Sequence, residues 1–139
     1  MPELPFKILA IEHVGIAVND LNGISDVFSD LLGLKLRRRE KIDDQQVITD
    51  IYETGSSKLE FLKATDENSP IAKFIEKKDA GMHHIALKVD NLQAALDYLK
   101  GQGTQLVDTS PRIGAEGFKI AFLHPKSTGG VLIELCEKK

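Results

Sequence analysis

Disulfides, membrane spans and a strong charge bias are all missing from this 139-residue chain. Its single cysteine, Cys136, allows no internal disulfide and suits a reducing compartment. No apolar run approaches the roughly 20 residues that a membrane-spanning helix needs. The opening, MPELPFKILAIEH, puts an acid and two prolines ahead of a short apolar run. It lacks the charged start and long apolar core of a secretory signal. Eighteen basic residues stand against 21 acidic ones, a net charge of −3 with the signs mixed along the chain. That balance excludes the electrostatic footprint of a nucleic-acid binder and of a basic membrane-surface helix. What remains is a low-charge chain with 42% hydrophobic residues, enough for a core without covalent staples and the size of one domain. A soluble, cytoplasmic protein is expected.

Two windows resemble each other. HVGIAVNDL begins at His13 and HIALKVDNL at His84, and each runs from His through apolar residues to Val, Asn/Asp and Leu. Further on, KLEFL around Glu60 is echoed by LIELC around Glu134. The histidines are 71 residues apart and the glutamates 74. Two matches at nearly one offset, about half the chain, indicate an internal duplication.

The elements between the echoes agree. Residues 8–18 read as a strand rich in β-branched side chains, closed by Asn19-Asp20. Asp20 is placed to cap a helix with apolar positions at Leu21, Ile24, Val27, Phe28, Leu31 and Leu32, ended by Gly33. Strands are expected at 35–41, 47–53 and 58–64, with Thr54-Gly55-Ser56 as a hairpin turn. The second half repeats this order: a strand at 82–89, a helix striped by Leu92, Ala95, Leu96 and Leu99, then strands at 105–111, 118–123 and 131–137. Between the halves, Ser69-Pro70 reads as the N-cap and first residue of a linker helix. The expected organisation is α+β: tandem βαβββ modules within one domain, module one over about 7–64, the linker helix over 69–80 and module two over 81–137.

Each half thus places a His early in its first strand and a Glu in its last. Two halves related by a pseudo-twofold would bring His13, Glu60, His84 and Glu134 toward one point. Two imidazoles and two carboxylates suit a divalent cation such as zinc, cobalt, manganese, nickel or Fe(II). A lone Glu in a strand usually faces solvent. Glu60 and Glu134, however, are each flanked by apolar neighbours, and an acid on the buried side of such a strand needs a partner. His83 competes with His84 but falls on the opposite side of the strand, and the repeat phase selects His84.

With these residues in view, the chain resembles the vicinal oxygen chelate superfamily, which includes the glyoxalases, and within it the methylmalonyl-CoA epimerases. The resemblance spans nearly the whole chain. It rests on HVGIAV, LLGL, SPIAKFIEK, GMHHIALKVDNLQAAL and above all PRIGAEGFKIAFLHPKSTGGVLIEL, from Pro111 to Leu135. It implies an open eight-stranded barrel around a divalent metal, a homodimer, and ligands at His13, Glu60, His84 and Glu134. Some epimerases carry a second acid on the strand after the first helix. The matching position here is Thr49, with Asp50 beside it facing the other way.

The implied reaction removes a proton from C2 of an acyl-CoA and returns it on the other face through an enolate. Glu134 and Glu60 are the candidate proton carriers, with Glu60 serving purely as a ligand the alternative. Lys126, Ser127, Gly129, Gly130 and Arg112 are candidate contacts for the CoA ester, a solvated turn being the alternative for the loop. The competing functions are a glyoxalase I acting on a glutathione hemithioacetal and a non-catalytic ligand-binding member of the superfamily.

Overall fold

The computed structural model describes residues 3–139. It divides into two compact units, His13–His83 and the segment up to Glu12 together with His84–Lys139. Strand β1 (Ile8–Ala17) belongs to both, changing unit between Glu12 and His13.

In the His13–His83 unit, β2 (Lys35–Ile42), β3 (Val47–Glu53) and β4 (Lys58–Ala64) form an antiparallel meander, and β1 joins β4 in parallel. The turn at 54–57 closes with the Thr54 amide donating to the Ser57 carbonyl (3.0 Å), where the Thr-Gly-Ser signal placed it. Register sorts the side chains onto two faces. Gly15 pairs with Glu60, Glu60 with Ile51, Thr49 with Leu62 and Glu40 with Thr49, so these share one face with His13. At one end of that face Ala17, Val47 and Leu62 pack on Ile71, Phe74 and Ile75 of helix α1 (Pro70–Lys78). Helix α1 starts as its sequence requires, the Ser69 hydroxyl accepting the Ile71 amide and Pro70 filling the first turn. The opposite face carries Tyr52 and Phe61, covered by Leu21, Ile24, Phe28 and Leu34.

The first expected helix differs from its sequence reading. It is a six-residue π-helical turn, Asp26–Leu31, with the Leu32 amide donating to the Val27 carbonyl five residues back. The wider winding drifts away from a 3.6-residue stripe. Ile24 and Phe28 stay on the sheet, while Val27, Leu31 and Leu32 turn out to solvent. Asp20 does not cap this turn. Its carboxylate accepts the Asn22 amide (3.0 Å), and that backbone bond holds its pKa below the usual carboxylate range. A loop turn built from Asp20 has replaced the cap.

In the other unit the hydrogen-bonded order is β1, β5 (Gly81–Val89), β8 (Ile133–Glu137), β7 (Lys119–Leu123), β6 (Arg112–Ile113). Helix α2 (Leu92–Gly101), capped by the Asn91 side chain on the Ala94 amide, buries Leu92, Ala95 and Leu96 against Phe6, Val89, Leu123 and Leu135. The strand expected at 105–111 is absent, and only Arg112–Ile113 is regular. Leu106 makes one isolated bridge to Leu123. The amides of Val107 and Asp108 both donate to the Phe122 carbonyl, and the Asp108 carboxylate takes the Phe122 amide (2.9 Å). A side chain standing in for a backbone acceptor breaks the ladder there, and Pro111 has no N–H to resume it. Among the described residues no helix is long and apolar enough to cross a membrane.

Candidate metal centre

Each unit carries a buried His–Glu pair. In the first, His13 lies on β1 and Glu60 on the parallel strand β4, with His13 Nδ1 3.1 Å from Glu60 Oε2. In the second, His84 on β5 and Glu134 on the parallel strand β8 hold Nε2 and Oε1 3.2 Å apart. All four residues are only 4 to 5% exposed. The strand partners explain how a carboxylate fits so close to the neighbouring backbone. The residue paired with Glu60 on β1 is Gly15, and the one paired with Glu134 on β5 is Ala86. Both are small, which leaves space above the strand for the acid.

This donor set fits a divalent cation. Nitrogen and oxygen ligands bind zinc-like ions at about 2.0–2.2 Å, so two donors set at roughly a right angle lie about 3 Å from each other. Both pairs have that spacing. Burial adds the second argument, because a carboxylate out of water needs a counter-charge. His83 is placed elsewhere: its ring meets Phe74 of α1 edge-on at 4.9 Å. The alternation of β5 puts His84 on the face of Ala86 and Glu134, as the repeat phase required.

Around Glu134 the second unit builds a half-apolar wall. Phe122 is the strand partner of Glu134 and meets the His84 ring edge-on, centroids 5.5 Å apart. The Arg112 guanidinium lies over Phe122 at 5.6 Å, with its Nε 3.5 Å from Asp108 Oδ1. That Nε is buried and lacks a well-formed hydrogen bond. Pairing of Arg112 with Ile120, and of Ile120 with Cys136, places Arg112 on the face of Glu134. Phe122 and Asp108 carried no signal in the sequence, since only register places them.

The loop after β7 has a structural account of its own. The His124 ring accepts the Lys126 amide and the Ser127 hydroxyl accepts the Gln105 amide, fixing a short 3-10 turn at Pro125–Ser127. Gly129 and Gly130 have φ of 77° and 94°, the left-handed region that favours glycine. Lys126 is exposed. In the first unit, Thr49 and Asp50 are both fully buried but face opposite ways. Asp50 takes two hydrogen bonds from Arg39, 2.6 and 2.9 Å, and these raise the arginine pKa further above its usual value. The Thr49 hydroxyl has no hydrogen-bond partner.

Two parallel strand pairs, each carrying a buried His–Glu couple in one eight-stranded mixed sheet, define a protein of the glyoxalase fold. A family model described as the Glyoxalase/Bleomycin resistance protein/Dioxygenase superfamily matches residues 12–122, and the chain belongs to that superfamily. The protein YqjC of Bacillus subtilis, itself uncharacterised, is 41% identical over 93% of this chain and 92% of its own. An ethylmalonyl-CoA/methylmalonyl-CoA epimerase of Cereibacter sphaeroides is 38% identical over 90% of this chain and 95% of its own. A solved methylmalonyl-CoA epimerase in complex with methylmalonyl-CoA and NH4+ superimposes with a TM-score of 0.89. It is 30% identical, covering 95% of this chain and 96% of that one.

Proposed function

We propose that this chain is an isomerase that interconverts the C2 epimers of methylmalonyl-CoA, with His13, Glu60, His84 and Glu134 holding one divalent cation. The observation that carries this reading is the pair of matched, buried His–Glu couples in a chain whose relatives bear that epimerase name. Zinc, cobalt, manganese or nickel suits the mixed nitrogen and oxygen donors. Such an ion supplies positive charge that offsets the negative charge developing on the thioester oxygen.

The chain's own residues do the proton work. The Glu134 carboxylate accepts the C2 proton on one face. The C2–H bond breaks, its electron pair moves toward the thioester oxygen to give an enolate, and an O–H bond forms on the carboxylate. Return of a proton to the other face inverts the centre. Glu60, the equivalent acid of the first unit, is a ligand and the first candidate for that second transfer. Phe122 and Ile51, the apolar strand partners of the two glutamates, each shield the neighbouring carboxylate from water. Arg112 meets the free carboxylate of the substrate. Lys126 and the turn at Ser127, Gly129 and Gly130 meet the phosphates of CoA. The exposed apolar residues Leu31 and Leu32 suit a homodimer, and the single buried thiol suits a cytoplasmic enzyme.

Exchange of the C2 hydrogen of methylmalonyl-CoA in heavy water tests the reading, run beside isomerisation of a glutathione hemithioacetal. The expected result is exchange without hemithioacetal turnover. Glu134→Gln keeps an oxygen donor but cannot take the proton, so exchange should fall about 10²–10⁴-fold with metal content retained. Hemithioacetal turnover without C2 exchange would replace the epimerase by a glyoxalase.

A further inference from the structure

Asp108 is tied to two neighbours at once. Its carboxylate Oδ2 accepts the Phe122 amide at 2.9 Å, and its Oδ1 lies 3.5 Å from Nε of Arg112. The backbone closes on the same residue, since the amides of Val107 and Asp108 both donate to the Phe122 carbonyl. Phe122 in turn carries the Arg112 guanidinium over its ring, 5.6 Å from the centroid. One acid thus fixes both the ring and the cation resting on it. The connector between Asp108 and Arg112 is short and stiff: Pro111 locks its own φ and narrows the choices open to Ser110 before it. All three residues belong to the same compact unit.

The guanidinium is left incompletely satisfied. Its Nε is buried and makes no hydrogen bond, the 3.5 Å to Asp108 exceeding the roughly 2.7–3.2 Å of a good one. A guanidinium offers several N–H donors, and Asp108 is the ion-pair partner of Arg112 among the described residues. One face lies on Phe122 and one edge turns to Asp108. The remaining edge, on a side chain 38% exposed, is the part left for a ligand. A planar carboxylate matches such an edge with two parallel hydrogen bonds. Asp108 also subtracts charge beside that anion. Its removal can therefore act in either direction: lost placement weakens anion binding, and lost repulsion strengthens it.

We propose that Asp108 is the positioning residue that aims Arg112 at the free carboxylate of the substrate, and so selects acyl-CoA esters that carry one. This rests on the epimerase reading, in which Arg112 meets that carboxylate, and deepens it. The two oxygens of Asp108 separate the roles. In Asp108→Asn the side-chain oxygen still accepts the Phe122 amide, which keeps the strand. The atom facing Arg112 becomes an NH2 group, a donor set against a donor, and the guanidinium loses its placement.

The test titrates the protein calorimetrically with methylmalonyl-CoA and with propionyl-CoA, which lacks the free carboxylate, beside C2 exchange kinetics and thermal midpoints. Asp108→Asn should weaken methylmalonyl-CoA binding about 10-fold and leave propionyl-CoA binding unchanged, raising KM rather than lowering kcat. Arg112→Ala should lose the same discrimination. Adding Asp108→Asn to it should cost nothing more, because one residue acts through the other. Three results overturn the assignment. Unchanged or tighter methylmalonyl-CoA binding in Asp108→Asn would mean that the acid does not aim the arginine. Equal weakening of both esters would mark a disturbed strand. A further full loss in the double variant would make Asp108 independent of Arg112. Wild-type protein without C2 exchange would remove the epimerase reading instead, while the difference between the two esters would still report on Asp108.

Discussion

The two halves keep the same buried His–Glu couple and differ in what surrounds it. His13 and Glu60 match His84 and Glu134 in strand placement, burial and separation, 3.1 Å against 3.2 Å. One strand further out the likeness ends. Ile51 beside Glu60 corresponds to Phe122 beside Glu134, and Thr49 corresponds to Ile120. Beyond them Glu40 stands where the other unit has Arg112, each pairing with the residue next to the core strand. The proposed ion would ask the same of its donors in each unit, whereas an acyl-CoA is chemically different at its two ends. Duplication kept one buried His–Glu couple in each unit. Divergence put an acid at that one strand position in the first unit and a cation there in the second.

The largest expected effect breaks the equality of the halves. His13→Ala and His84→Ala should each weaken metal binding by more than about 100-fold, beyond the cost usually seen for residues that only hydrogen-bond to a ligand. Metal content by elemental analysis checks this. A large loss in one variant and none in the other would show that one pair holds the ion alone. A smaller effect sharpens the inequality. Arg112→Ala removes the guanidinium that stands at the position held by Glu40 in the first unit. With hydrogen bonds to charged groups contributing about 1.5–3 kcal/mol, KM for methylmalonyl-CoA should rise roughly 10–100-fold with kcat much less affected. The smallest effect concerns the helices. Ser69→Ala and Asn91→Ala remove the caps of α1 and α2 and should each cost about 1 kcal/mol of stability, read by denaturant unfolding with epimerase activity intact.

How much was legible beforehand follows from how far each signal reaches along the chain. The Ser69-Pro70 cap and the Thr54-Gly55-Ser56 turn were readable because their partners lie within four residues. The two buried His–Glu pairs were readable because duplication copied them at nearly one offset, and alternation along β5 put His84 rather than His83 on the face of Glu134. The first helix was misjudged in form. Its apolar spacing fits a 3.6-residue stripe, but only packing against Tyr52 and Phe61 decides which residues stay inside once the turn winds wider. The strand at 105–111 failed because its sequence does not show that the Asp108 side chain takes the place of a ladder bond to Phe122.

By itself, then, the sequence determined the repeat, the four ligand-type residues, the superfamily and the capped helix between the halves. All of these depend on residue identity, near neighbours or one internal period. The tertiary structure alone decided which residues flank each glutamate. Glu40 lies 20 residues before Glu60, and Arg112 22 before Glu134, yet each reaches the glutamate's face through two successive strand pairings. A slip of one residue in either pairing would turn that side chain to the opposite face, so long-range register rather than local pattern sets the chemistry around the ligands.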